Sequence, residues 1–387
     1  HTGPVTEKDH VWPEGWVRTE PKCEYTNYEN TITCTLVKNL PDIKTESNEA
    51  VELPPQLIAK WKAEGRYEQE VKELDVFFER TGHPRAPRFY IMKWLTDYIT
   101  EFGIDGYRCD TVKHTEENIW EEFKKECDYA FAEFKKNNPE KVLDNNDFYL
   151  VGEVYNYGIS GGKIFNFGDK EVNYYDNMFT SQINFEFKWN AKQMSIQDMF
   201  LKYDNILQSD LKDFGVLNYL SSHDDGSPFD PNREKPYQTA IKLLLSPGTS
   251  QVYYGDELAR SLVIEGTVGD ATLRSNMNWD ELASKEDVLS HWQKLGQFRN
   301  DHPSVGAGKH TVISESPYVF SRTYNNGDYF DEVVVALELN EGKNLIDVSS
   351  VFKDDQTIQD RYSGETYKVS NGKIIINSSN IALLEKQ

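Results

Sequence analysis

The stretch "GYRCDTVKH", residues 106–114, sets an arginine, an aspartate, a lysine and a histidine at the end of what reads as a buried strand. Side chains alternate along a strand, so Ile104, Gly106, Arg108, Asp110 and Val112 share one face, and Asp105, Tyr107, Cys109 and Thr111 share the other. Arg108 and Asp110 therefore point the same way. The segment just before, "FYIMKWLTDYITEFG" (89–103), has helical spacing and stops at a glycine, so the strand is entered directly from a helix.

Outward from this stretch, strand and helix patterns continue to alternate. A long amphipathic helix is predicted over 116–137, a strand over 148–154, a strand over 177–187 and a helix over 196–207. Further on come a strand over 215–223, a helix over 235–246, the strand "TSQVYYG" and a last helix over 287–301. Regular β-α alternation over this length predicts an α/β protein with a parallel sheet, and favours a (β/α)8 TIM barrel over a doubly wound sheet. This catalytic-barrel region runs over 86–304. From 305 to 387 the pattern changes to short β-rich segments separated by Asn-Gly turns, which predicts a separate antiparallel β-sandwich domain. Residues 1–85, rich in Trp, Pro and charge, read as an irregular insertion ahead of the first clear helix.

The composition, 38% hydrophobic and 13% aromatic over 387 residues, supports a sizeable core. A net charge of -22 disfavours nucleic acid and anionic membranes, whose affinity rests on basic side chains. No run of 18 apolar residues is present, so no transmembrane segment is predicted. Of the four cysteines, Cys23 and Cys34 flank a polar segment and could pair, whereas Cys109 reads as a small buried hydrophobe.

Two further strands close in acids. "YLVGEV" delivers Glu153, and "NYLSSHDD" delivers His223, Asp224 and Asp225. Converging carboxylates at the mouth of a barrel are what glycoside hydrolysis needs: one acid to protonate the leaving oxygen, and one carboxylate to attack or stabilise the anomeric carbon. Trp12, Trp16, Tyr155 and Tyr157 are candidate platforms for sugar rings, with core packing an equal alternative for each.

"GYRCDTVKH", "VGEV" and "LSSHDD", in this order and spacing, resemble the strand-4, strand-5 and strand-7 motifs of the α-amylase superfamily, glycoside hydrolase family 13. "LPDIKTES" (40–47) and "SPGTSQVYYGDE" (246–257) resemble two more of its motifs, and the whole set is most similar to the periplasmic members from Gram-negative bacteria. The resemblance implies a retaining hydrolase of α-1,4-glucans such as starch, glycogen or maltodextrins, acting outside the cytoplasm. It implies Asp110 as nucleophile, with its charge held by Arg108, Glu153 as general acid/base and Asp224 as transition-state stabiliser. His1, Arg108, Lys113, His114 and His223 would contact substrate, while Asp225 has no matching role and reads as a solvated neighbour. The family's structural calcium would fall on Asp42 and the His114 carbonyl oxygen, and oxygen ligands suit that ion. "HTG" at 1–3 resembles the end of the first family motif, with the asparagine that normally precedes it absent. Barrel strands 1–3, about a hundred residues, are therefore expected on the parent chain or another polypeptide, because a five-stranded barrel leaves unpaired edges. The alternative function is a non-catalytic α-amylase-like scaffold or carbohydrate-binding fragment; retention of all three carboxylates argues against it.

Overall fold

The computed structural model describes residues 12–36, 41–377 and 380–387. The described residues divide into two compact units, one comprising those up to Tyr155 together with Lys163–Gln182, the other Asn156–Gly162 together with those from Ile183 to Gln387.

In the first unit the helix Pro87–Phe102 starts on a proline, whose fixed φ suits a first helical turn, and buries Phe89, Tyr90, Met92, Thr96 and Ile99. Gly103 ends it at φ +66, and a Cβ there would stand 2.1 Å from the Phe134 ring. Only glycine meets both demands. The strand Gly106–Cys109 follows, then the helix Glu117–Asn137, which buries Ile119, Phe123, Cys127, Phe131 and Phe134 along one face. Gly106–Cys109 pairs in parallel with Tyr149–Gly152, which in turn pairs with the start of Ser181–Asn184. Parallel neighbours joined by a crossover helix make this a βαβ arrangement, as the alternation predicted.

The expected insertion is more regular than its composition suggested. It contains the helices Pro55–Ala63 and Tyr67–Thr81. The latter buries only Leu74, Phe77 and Phe78 of its fifteen residues, so its apolar stripe is too sparse to stand out. Trp16 anchors the region: its ring packs on Tyr90 and Trp94 of the Pro87–Phe102 helix, and its indole N–H donates to the Glu52 carbonyl at 2.7 Å.

In the second unit Gly215–Asn218 pairs in parallel with Thr249–Ser250, and the helices Ile196–Leu207, Pro236–Leu244 and Glu286–Asp301 lie where periodicity placed them. Three strands are shorter than predicted: 177–187 reduces to Ser181–Asn184, 215–223 to Gly215–Asn218 and 249–255 to Thr249–Ser250. The apolar runs there reflect burial, and the polar residues beyond the ladders bond through side chains; Ser221 Oγ donates to both Asp256 oxygens at 2.7 Å.

From Lys309 the chain forms a six-stranded antiparallel sheet facing the antiparallel pair Lys343–Asp347 and Lys373–Asn377. Ile346, Ile374 and Ile376 from the pair meet Val334, Ala336, Ile358 and Leu384 from the large sheet in one core, the sandwich expected from alternation. At its edge Arg322 Nε donates to His310 Nδ1 at 2.9 Å, which fixes the proton on Nε2, facing the Tyr318 hydroxyl at 2.8 Å. A second ring proton would point at the guanidinium. Burial, aided by Arg322, pushes the His310 pKa down to about 3. An unfolded histidine protonates near 6.5, so between pH 6.5 and about 3 the unfolded chain binds one proton more, and stability falls as pH falls through that window. Urea midpoints at pH 7, 5 and 4 should show this loss, and His310→Gln should flatten it by about one proton. An unchanged slope in the variant would remove His310 from the account.

Candidate active site

Strand pairing brings the first two acids together. Glu153 directly follows the strand Tyr149–Gly152, with its N–H on the Cys109 carbonyl at 2.8 Å and its own carbonyl accepting the Val112 N–H at 3.0 Å. Its carboxylate, 10% exposed, accepts the Thr111 N–H on Oε2 at 2.8 Å and lies with Oε1 3.5 Å from Arg108 Nη2. Arg108 Nη1 donates to Asp110 Oδ1, whose side chain is 64% exposed. One planar guanidinium thus spans an exposed and a buried carboxylate. The turn between them is strained: Thr111 sits at φ +48, uncommon for a β-branched residue, and is held there by its hydrogen bond to Glu153.

The Val112–His114 turn carries the next two predicted residues. Lys113 Nζ lies 5.3 Å from the Tyr25 ring centre, 5.0 Å from Tyr155 and 6.0 Å from Phe165, and burial lowers its pKa against the opposing pull of Glu153. The His114 ring nitrogen Nδ1 is 3.0 Å from the Thr31 carbonyl, which only an N–H can satisfy. The bond between Cys23 and Cys34 is formed. Cys109 is buried as expected, and burial pushes its thiol up to about 12.

In the second unit, after Gly215–Asn218, His223 Nε2 stands 3.4 Å from Asp224 Oδ2, and Ser222 Oγ donates to Asp224 Oδ1 at 3.0 Å. The His223 carbonyl accepts from Arg274 Nε at 2.9 Å. Asp225 corrects the sequence reading. It is 8% exposed rather than solvated, with both oxygens on Lys188 Nζ. Lys188 is equally buried, so removing either partner would strand a charge at a cost of about 3–5 kcal/mol. Asp256, in the "YYGDE" segment, is fully buried between Ser221 and Arg233. Neither cation was singled out from sequence, since each lies far along the chain from, or in a loop unrelated to, the acid it meets.

His1 lies outside the described residues. Among the aromatic candidates, Trp16 and Tyr157 are core residues at 1% exposure, while Trp12 and Tyr155 are open to solvent. Asp42 accepts from Arg18 Nε at 2.7 Å, and the same guanidinium reaches Glu46 Oε2 at 2.6 Å. A calcium ion on Asp42 would have to share that carboxylate with a fixed positive charge, so the arrangement does not fit the expected ligand set.

The description of the α-amylase catalytic domain matches residues 86–302. The chain belongs to the α-amylase family. Within the family it is similar to the periplasmic α-amylase of Escherichia coli (strain K12), 34% identical over 336 residues, covering 84% of this chain and 44% of that protein. It is 23% identical over 319 residues to the maltogenic α-amylase of Bacillus acidopullulyticus, covering 79% of this chain and 49% of that one. The chain spans about half the length of the curated relatives it matches. The crystal structure of the α-amylase from Geobacillus thermoleovorans complexed with acarbose superposes with a TM-score of 0.62 at 16% identity, over 97% of this chain and 72% of that one. An Anoxybacillus α-amylase gives 0.60 at 19%, over 97% and 71%. These likenesses show the fold, a (β/α)8 barrel with a C-terminal antiparallel β domain.

Proposed function

We propose that the protein is a retaining hydrolase of α-1,4-glucans, taking starch, glycogen or maltodextrins as substrate. Asp110 attacks the anomeric carbon, Glu153 protonates the departing oxygen and then deprotonates the incoming water, and Asp224 stabilises the positive charge that develops on the sugar ring. The observation that carries this reading is the guanidinium of Arg108 spanning Asp110 and Glu153. Retaining sites keep their two carboxyl groups roughly 5–5.5 Å apart, against about 6.5–9.5 Å where a water must fit between them. A bridge by one side chain favours the shorter spacing. The exposure of the two acids divides the roles: open Asp110 can reach a sugar carbon, while enclosed Glu153 is positioned for proton transfer. Family membership supports the same chemistry, and nothing favours the non-catalytic alternative.

Location outside the cytoplasm is part of the proposal. It is supported by the Cys23–Cys34 disulfide, which persists in oxidising compartments, and by the periplasmic relative. No helix among the described residues is long and apolar enough to cross a membrane.

Proton NMR during maltohexaose hydrolysis should show the α-anomer released first. Asp110→Asn and Glu153→Gln should each lower kcat by several orders of magnitude with melting temperature held. Release of the β-anomer first, or variants with wild-type rates, would contradict the assignment.

For the metal, the proposal is that Arg18 supplies the positive charge that balances Asp42 and Glu46. Chelation by EDTA should then leave the melting temperature unchanged, while Arg18→Ala should lower it. A fall in EDTA that added calcium reverses would show instead that a metal bound only to the folded state stabilises it.

A further inference from the structure

The loop from Cys23 to Cys34 is closed by its disulfide and braced from within. Asn30 Oδ1 accepts the backbone N–H groups of Glu24 and Tyr25, both at 2.8 Å, and the short helix Tyr28–Ile32, capped by Asn27, leads back to the second sulfur. Three metal donors meet at this closure: the Sγ atoms of Cys23 and Cys34 and a ring nitrogen of His114 all lie within 4.8 Å of one another. His114 Nδ1 is 4.0 Å from Cys34 Sγ. A fourth donor stands beside them, since the Thr31 carbonyl oxygen lies 3.3 Å from Cys34 Sγ and 3.0 Å from His114 Nδ1.

A tetrahedral zinc ion, with bonds of about 2.3 Å to sulfur and about 2.0–2.2 Å to nitrogen or oxygen, holds its ligand atoms about 3.3–3.8 Å apart. The separations of 3.0, 3.3 and 4.0 Å around Cys34, Thr31 and His114 straddle that spacing. Cys34 is buried, whereas Cys23 lies in a stretch open to solvent, where its sulfur has room to draw apart from its partner. While the two sulfurs are bonded to each other neither is a thiolate, and a metal has nothing to hold it. A dithiol reductant changes this. Thiol–disulfide exchange passes two electrons and two protons to the Cys23–Cys34 bond and leaves two thiols and the reductant's own cyclic disulfide. The chain also carries these thiols from its synthesis until they are oxidised. Burial, aided by the neighbouring Lys113 charge, holds the His114 pKa below its usual value against the pull of the Thr31 carbonyl, so the ring is neutral at pH 7. A neutral imidazole ligates through Nδ1 once its proton sits on Nε2.

We propose that the dithiol form of this chain binds one zinc ion through Cys23 Sγ, Cys34 Sγ, His114 Nδ1 and the Thr31 carbonyl oxygen, so that zinc and the disulfide are alternative closures of the same loop. Two thiolates and an imidazole select zinc over calcium, whose ligands are oxygens. Binding displaces one proton from each thiol, two for each zinc ion. The site is independent of the hydrolase reading. Its test uses the full chain, reduced with dithiothreitol, freed of the reductant under nitrogen and titrated with Co2+, whose visible bands report tetrahedral coordination and whose thiolate bonds add a charge-transfer band. One equivalent of Co2+ should give both signals, excess Ca2+ should leave them unchanged, and Zn2+ added to the metal-free reduced chain should release two protons. The oxidised chain should give no signal. His114→Ala should weaken zinc binding at least about tenfold, the least that losing even a ligand's outer partner costs. Cys109→Ala/Cys127→Ala, which removes the two buried thiols, should keep the signals. A reduced, folded wild-type chain without them, signals that survive in Cys23→Ser/Cys34→Ser or vanish in a folded Cys109→Ala/Cys127→Ala, or equal binding by His114→Ala would overturn the site. If reduction alone loosens the fold, Zn2+ should restore the circular dichroism of the wild-type chain and leave that of Cys23→Ser/Cys34→Ser unchanged; restoration of neither, or of both, would overturn it too.

Discussion

The bridge from Arg108 to Asp110 and Glu153 is the contact on which the proposed chemistry depends. Two carboxylates facing one reacting centre repel each other, and a buried one is costly to leave without a partner. A single guanidinium addresses both problems with fixed geometry, and a lysine could not, since its point charge has no planar fork. The parallel pairing of Gly106–Cys109 with Tyr149–Gly152 delivers the two acids to the same level. The strained Thr111 then turns the chain so that its N–H meets Glu153 while Asp110 stays open. Sheet register, turn strain and ion pairing are one device.

Elsewhere in each unit, acids meet cations from other parts of the sequence. Lys188 meets Asp225, Arg233 meets Asp256, and Arg18 meets Asp42 and Glu46. The Lys188–Asp225 and Arg233–Asp256 pairs are buried and carry the desolvation cost that burial brings, whereas the Arg18 partners are partly exposed.

Much of this was legible in the sequence, and the reasons are specific. The helices Glu117–Asn137 and Ile196–Leu207 announced themselves because their apolar residues recur at helical spacing, and the end of Pro87–Phe102 because the helical pattern stops at Gly103. The strand-end acids were visible because each closes an apolar run. Asp225 was misread because a side chain's partner 37 residues away leaves no trace beside it. The helix Tyr67–Thr81 was missed because three buried residues among many charged ones give too weak a stripe, and the strand ends were overextended because burial without pairing looks the same as a strand. Tyr25 lay in a polar loop with no periodicity at all, and only the disulfide and the Asn30 bonds reveal why it is held where it is.

The central claim is that Asp110 becomes covalently bonded to the sugar. Incubation with a 5-fluoro-α-glucosyl fluoride slows the second displacement more than the first, so the bonded form accumulates and can be digested and sequenced by mass spectrometry. The account predicts one glucosyl adduct on the peptide containing Asp110, absent in Asp110→Asn. An adduct on another carboxylate, or none while the reagent is turned over, would contradict it.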